Sequence, residues 1–462
     1  MVKQELLYER IFSEIALRVS PTAKEAAMEK EFAEGIRKKL QKALGKKANL
    51  FFVGSTARDT GIRGDRDIDI FVAFPKGKSK EEIVKTTITT VKRILPAKWE
   101  MHYAEHPYLQ AKLGNFKVEI VPCFKIKVNE GIISAVDRTP LHALYLQKHL
   151  TQKQKRDVRV LKALLKAHEI YGAELEIEGF SGLVCEYLVL NYRSLSILLS
   201  EASKWKPPVI LDIEDYYDQQ YEPLIQKYKS PLIIIDFIDR NRNAAAAISR
   251  KSFDKFVSLS KAFLSNPSEK WFRKPEITFT EKELTAAIMK RNFLLLKMRK
   301  PSNLVDDIII PQLRKSERAL ATQLELADFE VEQTASFQNE NESYILLDMR
   351  ALILPTKKTI FGPPVEMEEN VGRFMAAHPK PIKGPYKTKG RLAVDIKRKS
   401  PDAAKLLAML IRNPASAGVA SHFIKPMNSA RLLSGHNLLY ELKKNSYLQV
   451  KIAELLFSKP IR

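Results

Sequence analysis

Asn49-Leu50-Phe51-Phe52-Val53-Gly54-Ser55 is followed, after eleven intervening residues, by Asp67-Ile68-Asp69-Ile70-Phe71, and these two stretches decide the fold. The apolar run up to Val53 predicts a buried strand, and the Gly-Ser pair after it lets the backbone turn tightly towards a ligand. In the second stretch, the two-residue repeat of a strand places Asp67 and Asp69 on one face and the isoleucines on the other. The sequence therefore predicts one strand that ends in a tight turn and another that presents two carboxylates.

Two carboxylates on one face repel each other and need a partner, for which a divalent cation such as Mg²⁺ is suited. A third acid is expected where two metal ions are held, and Glu119 is the candidate, since it lies in the strand-like run Phe116-Lys117-Val118-Glu119-Ile120-Val121-Pro122-Cys123. An isolated Asp-x-Asp also occurs on solvated strand ends, but the strand and turn before this one favour a site. A phosphate-accepting turn beside a metal platform is typical of phosphoryl or nucleotidyl transfer.

The composition indicates a folded chain with a polyanionic partner. The 462 residues are too many for one core, and 45% hydrophobic with 28% charged residues is typical of globular proteins. Lys and Arg exceed Asp and Glu by 77 to 54, a formal net charge of +23, which favours nucleic acid. A solubility role or a basic membrane face are the alternatives, and no basic amphipathic helix with aromatic anchors supports the latter.

The compartment prediction is cytoplasmic. Cys123 and Cys185 are the two cysteines, and both lie in apolar runs, which argues against a disulfide framework and a structural zinc site. The first residues carry charges where a signal peptide needs apolar ones. Apolar runs such as residues 232–235 are too short to cross a bilayer, so no membrane partner is expected.

The chain changes character along its length, which predicts several domains. Helices are expected over residues 1–45, and alternating strands with a helix at 80–94 follow to about 135. A mostly helical part, with helices at 158–166, 182–190 and 194–199, extends to a break at 265–269. Beyond it, strand-like runs alternate with helical ones, which indicates a sheet covered by helices. The runs are strands 277–279, 293–298 and 344–354 and helices 281–290 and 311–327.

The segment from Lys380 to Lys399 contains eight Lys or Arg and one Asp, and two Pro-containing turns loosen it. A charge run is usually a solvated face, but Tyr386 lies among these cations, so a contact with an RNA backbone is an equal alternative. From Pro401 onward the chain is expected to be helical.

An ordered series of motifs resembles the archaeal, class I CCA-adding enzymes, tRNA nucleotidyltransferases of the polymerase β superfamily. The resemblance is strong over roughly residues 1–315 and faint in the tail. The motifs are Val53-Gly54-Ser55-Thr56-Ala57-Arg58, Asp67-Ile68-Asp69-Ile70-Phe71, Tyr103-Ala104-Glu105-His106-Pro107-Tyr108, Val121-Pro122-Cys123, Ser134-Ala135-Val136-Asp137-Arg138-Thr139-Pro140, Ile170-Tyr171-Gly172-Ala173-Glu174, Gly179-Phe180-Ser181-Gly182, Arg242-Asn243, Val305-Asp306-Asp307 and Pro311-Gln312-Leu313.

The resemblance implies a multidomain α/β (α+β) chain with four parts in order. They are a polymerase β-like catalytic head at 1–140, a helical neck for base recognition at 141–266, an α/β body that binds tRNA at 267–385 and a mainly helical tail at 386–462 that binds the acceptor and T arms. It further implies template-independent addition of C, C and A to the tRNA 3′ end, with CTP and ATP as substrates and two Mg²⁺ ions as cofactors. A homodimer stays open.

The family's site residues carry over onto matching positions. Asp67, Asp69 and Glu119 would hold the metal ions, although the family usually has Asp at the third position. Arg242 resembles the base-reading arginine, since a guanidinium can satisfy cytosine or adenine by different hydrogen bonds; a plain surface arginine is the alternative. Without the family, His142 and Lys162 would read as ordinary helix residues. The residues implied at the nucleotide phosphates are Gly54, Ser55, Arg58, His142, Lys162 and Tyr171.

Three other functions remain open at this point. A poly(A) or other RNA-terminal nucleotidyltransferase would share the head and differ in base choice. A non-catalytic RNA-binding relative would have no reason to keep the repelling pair Asp67 and Asp69. A small-molecule nucleotidyltransferase would not need such an excess of positive charge or a large C-terminal half.

Overall fold

The chain is described by a computed structural model that covers residues 2–65, 67–103, 107–127, 132–274, 277–302, 304 and 306–457. It divides into two compact units, the first running to residue 275 and the second starting at residue 276. Two sequence motifs lie partly outside the described residues, since 104–106 belong to the motif at 103–108 and Val305 opens the motif at 305–307.

The first unit opens with helices and a five-stranded mixed sheet. Its elements are α1 (Val2–Val19), α2 (Ala23–Leu44), β1 (Asn49–Val53), α3 (Gly54–Ala57), β2 (Asp67–Phe74), α4 (Lys80–Ile94), β3 (Glu100–Tyr103), β4 (Pro107–Leu113) and β5 (Phe116–Phe124). The strand order is β1-β2-β5-β4-β3, in which β2 and β5 run parallel and the other neighbours antiparallel. The predicted strands and the predicted helix at 80–94 are confirmed, the latter starting at a capping box formed by Ser79 and Glu82.

The two faces of this sheet have different neighbours, and this positions the acids. Even-numbered residues of β2, such as Ile68, are buried together with side chains of α2 and α4. Odd-numbered residues lie on the other face, where Phe71 packs with Ala143 of α5 (Arg138–His149). The two predicted aspartates belong to this second face because side chains along a strand alternate.

The rest of the first unit is helical around a short parallel pair of strands. Its elements are α6 (Gln152–Ala167), α7 (Gly182–Tyr192), α8 (Leu195–Ala202), β6 (Val209–Leu211), α9 (Glu222–Tyr228), β7 (Leu232–Ile234) and α10 (Arg250–Ser265). Side chains of α1, α6, α7, α8 and α10 share one large apolar core, and Leu224 of α9 packs with Ile233 and Ile235 in a smaller one. Within the described ranges no single helix has the length and apolar composition to cross a membrane; the bent pair α7–α8 passes that test by length and composition only.

Secondary-structure elements lie across or just beyond both predicted limits of the helical part. A boundary between residues 140 and 141 cuts through α5, which spans Arg138–His149. The end predicted at 266 leaves out the 3₁₀ turn Glu269–Phe272, whose Trp271 and Phe272 pack on the core of the first unit. The helical part therefore extends over these aromatic residues, which bury apolar surface that a linker would expose.

The second unit contains two antiparallel sheets and seven described helices. Its elements are α11 (Glu281–Met289), β8 (Asn292–Arg299), α12 (Asp306–Leu326), β9 (Val331–Gln338), β10 (Glu342–Met349), β11 (Lys357–Pro364), α13 (Glu368–Ala377), β12 (Lys383–Thr388), β13 (Arg391–Lys397), α14 (Ala403–Arg412), α15 (Ser421–Asn428), β14 (Arg431–Leu433), α16 (Gly435–Lys444) and α17 (Ser446–Phe457). The larger sheet has the order β14-β8-β10-β9, and the smaller one has the order β11-β13-β12. Side chains of α12, α14 and α15 form a core with one face of the larger sheet, and those of α11, α16 and α17 form a core with the other. This confirms the predicted sheet covered by helices.

The C-terminal part departs from prediction in three places. Residues 277–279 form no strand and lead into the Thr280 cap of α11. A boundary between 385 and 386 falls inside β12. The larger sheet also includes strands from both sides of that boundary, because β14 pairs with β8. The basic segment at 380–399 is not loosened but forms β12 and β13, which are held together by the buried Asp395.

The sheet formed by β11, β12 and β13 is stabilised by Asp395, the one acid in its basic segment. The carboxylate of Asp395 accepts hydrogen bonds from Thr359 Oγ1 at 2.7 Å and from Tyr386 OH at 2.9 Å, and Lys357 Nζ lies 2.7 Å away. These donors come from β11 and β12, on either side of β13. One carboxylate therefore links all three strands.

Candidate active site

The three predicted acids lie on adjacent parallel strands. Asp69 of β2 is paired in register with Glu119 of β5, and Asp67 is paired with Lys117. Residues opposite each other in a sheet direct their side chains to the same face, so the three carboxylates share one face of the sheet. The structure thus brings together residues that are about fifty positions apart in the sequence.

The Gly54-Ser55 turn lies directly against this acidic face. Val53 pairs with Asp69, so the turn begins where β1 passes the carboxylate. A Cβ atom on Gly54 would stand 2.0 Å from Asp69 Oδ2, and the glycine has φ of 76°. The Ser55 carbonyl accepts a hydrogen bond from Thr60 N at 2.9 Å, which closes the loop that follows. The predicted phosphate turn and the predicted metal face are therefore neighbours.

The crowding of carboxylates has an electrostatic cost. Burial, and then the charges of Glu119 and Asp67, raise the pKa of Asp69 to about 7. Glu119 is ion-paired with Lys117, whose Nζ lies 2.9 Å from Oε1. Burial opposes the charged form of Lys117, but the hydrogen bond and charge of Glu119 outweigh it and raise the pKa of that lysine.

The donor chemistry at this face suits a hard divalent cation, because carboxylate oxygens are the ligands that Mg²⁺ prefers. A cation would also relieve the repulsion that raises the pKa of Asp69. Across the described residues, no three His, Cys, Asp or Glu side chains are already grouped as ligands of one metal ion. In the arrangement seen, Lys117 holds Glu119, so metal binding would require Glu119 to exchange that lysine for the cation.

Arg58 lies close to the turn, but its guanidinium is engaged by an acid of α7. Arg58 is 7% exposed, and its Nε donates to both carboxylate oxygens of Glu186, at 2.9 and 3.0 Å. Thr60 Oγ1 donates to Glu186 Oε1 at 2.5 Å. Arg58 was predicted to contact nucleotide phosphates, and in the structure its Nε is held by a buried counterion.

Lys162 and Tyr171 meet at the start of α7. Lys162 is buried and its Nζ donates to the Thr60 carbonyl at 2.8 Å; burial lowers the pKa of its ammonium group. A Cβ atom on Gly182 would lie 3.2 Å from Tyr171 OH and 3.5 Å from Lys162 Nζ. The small residue at the first position of the helix therefore leaves room beside these two polar groups.

His142 and Arg242 are joined by a buried carboxylate. His142 Nε2 lies 2.8 Å from Asp236 Oδ1, and Arg242 donates from a terminal nitrogen to Asp236 Oδ2 at 2.5 Å. Burial would raise the pKa of Asp236, but the hydrogen bond from His142 and the charge of Arg242 outweigh it and hold that pKa below its ordinary range. Burial also lowers the pKa of His142, which favours a neutral ring donating its Nε2 proton to Asp236.

The structure therefore forms three local groups from the predicted residues. The first contains the acids with Gly54 and Ser55, and the second contains Arg58, Lys162 and Tyr171 around Thr60. His142 and Arg242 form the third through Asp236, which His142 Nε2 contacts at 2.8 Å.

Sequence reasoning missed the two buried acids that organise the second and third groups. Glu186 interrupts the apolar run Leu183-Val184-Cys185-Glu186-Tyr187-Leu188-Val189-Leu190, and Asp236 directly follows the buried run at 232–235. A lone carboxylate in an apolar run is the signal that could have found them, since a buried charge requires a partner.

The fold and this site define a nucleotidyltransferase: the profile of the nucleotidyltransferase domain matches residues 33–142. The profile "tRNA nucleotidyltransferase, second domain" matches residues 156–273, and "CCA-adding enzyme, C-terminal domain" matches residues 291–424. The CCA-adding enzyme of Methanococcus maripaludis is 35% identical over 80% of this chain and 84% of its own length. That of Methanopyrus kandleri is 32% identical over 98% of each chain.

The chain belongs to the family of CCA-adding enzymes. Among solved structures, the Cid1 poly(U) polymerase is similar with a TM-score of 0.47 and 14% identity, covering 58% of this chain and 98% of Cid1. A likeness at this level carries no argument about the substrate.

Proposed function

We propose that this chain adds and repairs the 3′-terminal CCA of tRNA without a template, using CTP and ATP. The observation that carries the proposal is the acidic face formed by Asp67, Asp69 and Glu119 beside the Gly54 turn, in a chain that belongs to the CCA-adding family. The net charge of +23 supports a polyanionic substrate such as tRNA.

The acids would hold Mg²⁺, with Asp67, Asp69 and Glu119 as ligands. When bound, Mg²⁺ would lower the pKa of a coordinated hydroxyl and neutralise charge on phosphates. Before metal binding, Asp69 is a carboxyl group with a pKa of about 7, so it must give up its proton to act as a ligand near neutral pH. Lys117 Nζ lies 2.9 Å from Glu119 Oε1 and holds that carboxylate beside the two aspartates.

The remaining residues bind and orient the nucleotide. The Gly54-Ser55 turn offers backbone N–H groups and a hydroxyl to the triphosphate, and Arg58 and Lys162 add positive charge from the neck side. The partners of Arg242 restrict its movement, because Asp236 holds one terminal nitrogen and leaves other guanidinium donors for a base. The tRNA 3′-hydroxyl then attacks the α-phosphate, a new P–O bond forms, and pyrophosphate leaves with the electrons of the broken P–O bond.

The test is incorporation of labelled CTP and ATP, with Mg²⁺, into tRNA transcripts that lack CCA, end in C or end in CC. We expect addition to stop after CCA, with ATP alone used on the CC end. Long A tails would instead identify a poly(A) polymerase. Tight RNA binding without incorporation on any transcript would identify a non-catalytic RNA-binding relative.

A further inference from the structure

Glu186 is a fully buried acid whose side-chain hydrogen bonds come from two residues that follow the Gly54-Ser55 turn. It lies in α7, and both of its carboxylate oxygens accept hydrogen bonds from Arg58 Nε, at 2.9 and 3.0 Å. A second donor, Thr60 Oγ1, reaches Oε1 at 2.5 Å. Arg58 follows the Gly54-Ser55 turn directly, and its backbone N–H donates to the Gly54 carbonyl at 3.3 Å. Glu186 therefore ties the phosphate turn to a helix 128 residues further along the chain.

A second buried cation lies beside the pair formed by Arg58 and Glu186. Lys162 is 1% exposed, and its Nζ donates to the carbonyl of Thr60, the same residue whose hydroxyl contacts Glu186. Two buried cations, Arg58 and Lys162, are thus held close to the Gly54-Ser55 turn. Cations fixed at this position suit an anionic ligand such as a triphosphate.

The geometry of the arginine is also suited to such a ligand. Glu186 uses only the Nε edge of Arg58, whereas a guanidinium carries five N–H donors in a fixed plane. Fixing the plane from one edge sets the direction of the terminal nitrogens, which are the donors that bind phosphate oxygens in pairs.

We propose that Glu186 is a positioning residue for nucleotide binding, which fixes Arg58 so that its terminal nitrogens meet the triphosphate. Glu186 itself touches no substrate. The inference rests on the proposed function and names how the cationic side of that site is held in place.

Glu186→Gln keeps the shape of the side chain and removes its charge. We expect the KM for CTP and for ATP to rise about tenfold, as for a weakened hydrogen bond to a charged group, with kcat changed within about twofold. The matched control is Asp157→Asn on α6, since Asp157 is equally buried, pairs with Arg156 and accepts a hydrogen bond from Leu195 N at 3.0 Å. The control should lower Tm without changing the KM for nucleotides.

A second variant separates positioning from general stability. Arg58→Ala removes the guanidinium that Glu186 is proposed to position. Adding Glu186→Gln in that background should therefore leave the KM for CTP unchanged, although the same change raises it in the native background. The proposal would be overturned if Glu186→Gln raised the KM for CTP by the same factor in the Arg58→Ala background as in the native one. It would also be overturned if Glu186→Gln lowered kcat alone.

Calorimetric titration of the full chain with CTP and Mg²⁺, without tRNA, distinguishes this proposal from the proposed function. If the native protein transfers no nucleotide but binds CTP more tightly than Glu186→Gln does, the function is wrong and the role of Glu186 stands. If CCA addition is found and folded Glu186→Gln binds CTP as the native chain does, the role of Glu186 is wrong.

Discussion

Gly54 lies so close to Asp69 that a Cβ atom on the glycine would stand 2.0 Å from Asp69 Oδ2. The two residues are brought together by the β1–β2 pairing, in which Val53 is opposite Asp69. The φ of 76° at Gly54 is in the left-handed region, which side chains other than glycine rarely adopt. The glycine is therefore required both by the backbone turn and by the carboxylate above it.

Gly54→Ala is expected to abolish nucleotide transfer, because the new methyl group would displace Asp69 or the turn itself. The control is Gly114→Ala, in the turn between β4 and β5, where φ is 60° and a Cβ would have nothing within 4 Å. Both substitutions carry the backbone penalty of roughly 1 kcal/mol, and Gly54→Ala alone adds the clash with Asp69. If Gly114→Ala loses as much transfer activity as Gly54→Ala, the contact with Asp69 is not the cause.

Asp69→Asn is expected to reduce transfer by at least about a hundredfold, since metal-bound charge stabilisation supplies several kcal/mol. Affinity for tRNA, measured by filter binding, should stay within about threefold, because the electrostatic grip depends on cations elsewhere. Surviving transfer would show that Asp69 is not a metal ligand.

The metal-free chain should lose stability as pH rises towards neutral. The pKa of Asp69 is raised in the folded chain to about 7 from 3.8, so its contribution to stability is fully present below pH 3.8 and is lost as pH rises through 7. At pH 8 with chelator, Asp69→Asn should therefore be more stable than the native chain, by up to about 4 kcal/mol. At pH 4 the difference should vanish.

Mg²⁺ provides the control for that comparison, since a cation favours the ionised form of Asp69. Adding Mg²⁺ at pH 8 should raise the Tm of the native chain and not that of Asp69→Asn. Equal Tm curves for the two proteins from pH 4 to pH 8 with chelator would contradict the raised pKa.

Arg242→Ala is expected to impair the choice between CTP and ATP more than tRNA binding. Asp236→Asn should give the same pattern in weaker form, because Asp236 holds both Arg242 and His142. Single-turnover incorporation on transcripts ending in C or in CC measures the choice, and Arg240→Ala in the same loop serves as the control. Reduced tRNA affinity with normal choice would make Arg242 a contact of the RNA backbone.

The exposed lysines of β12 and of the turn after it are expected to bind tRNA phosphates. Replacing Lys383, Lys387 and Lys389 by Ala should weaken tRNA binding about tenfold. Binding should also depend less on salt, because a protein that contacts fewer phosphates releases fewer counterions when it binds. The same three positions changed to Arg keep the charge and should bind normally. Unchanged tRNA affinity in the Ala variant would show that these lysines are only exposed to solvent and do not contact tRNA.

Local patterns in the sequence were sufficient to predict the core of the catalytic sheet. Alternation along β2 placed both aspartates on one face, and the apolar run with Gly54-Ser55 predicted a strand ending in a turn. The four-part division stays a prediction, and α5 and β12 cross two of its limits. Strands β12 and β13 were not predicted, because a basic segment with prolines is typical of a loop. Their strand structure depends on pairing with each other and with β11, which the local sequence does not reveal.

The sequence by itself determined which residues are proposed to carry the chemistry: two aspartates, a third acid and a glycine turn, all recognisable from spacing within a few residues. Only the tertiary structure decided which charges meet. Arg58 is paired with Glu186 across 128 residues, and His142 with Asp236 across 94. A buried charge must find a partner, but the choice of that partner depends on how distant helices and strands pack, and no local period encodes it.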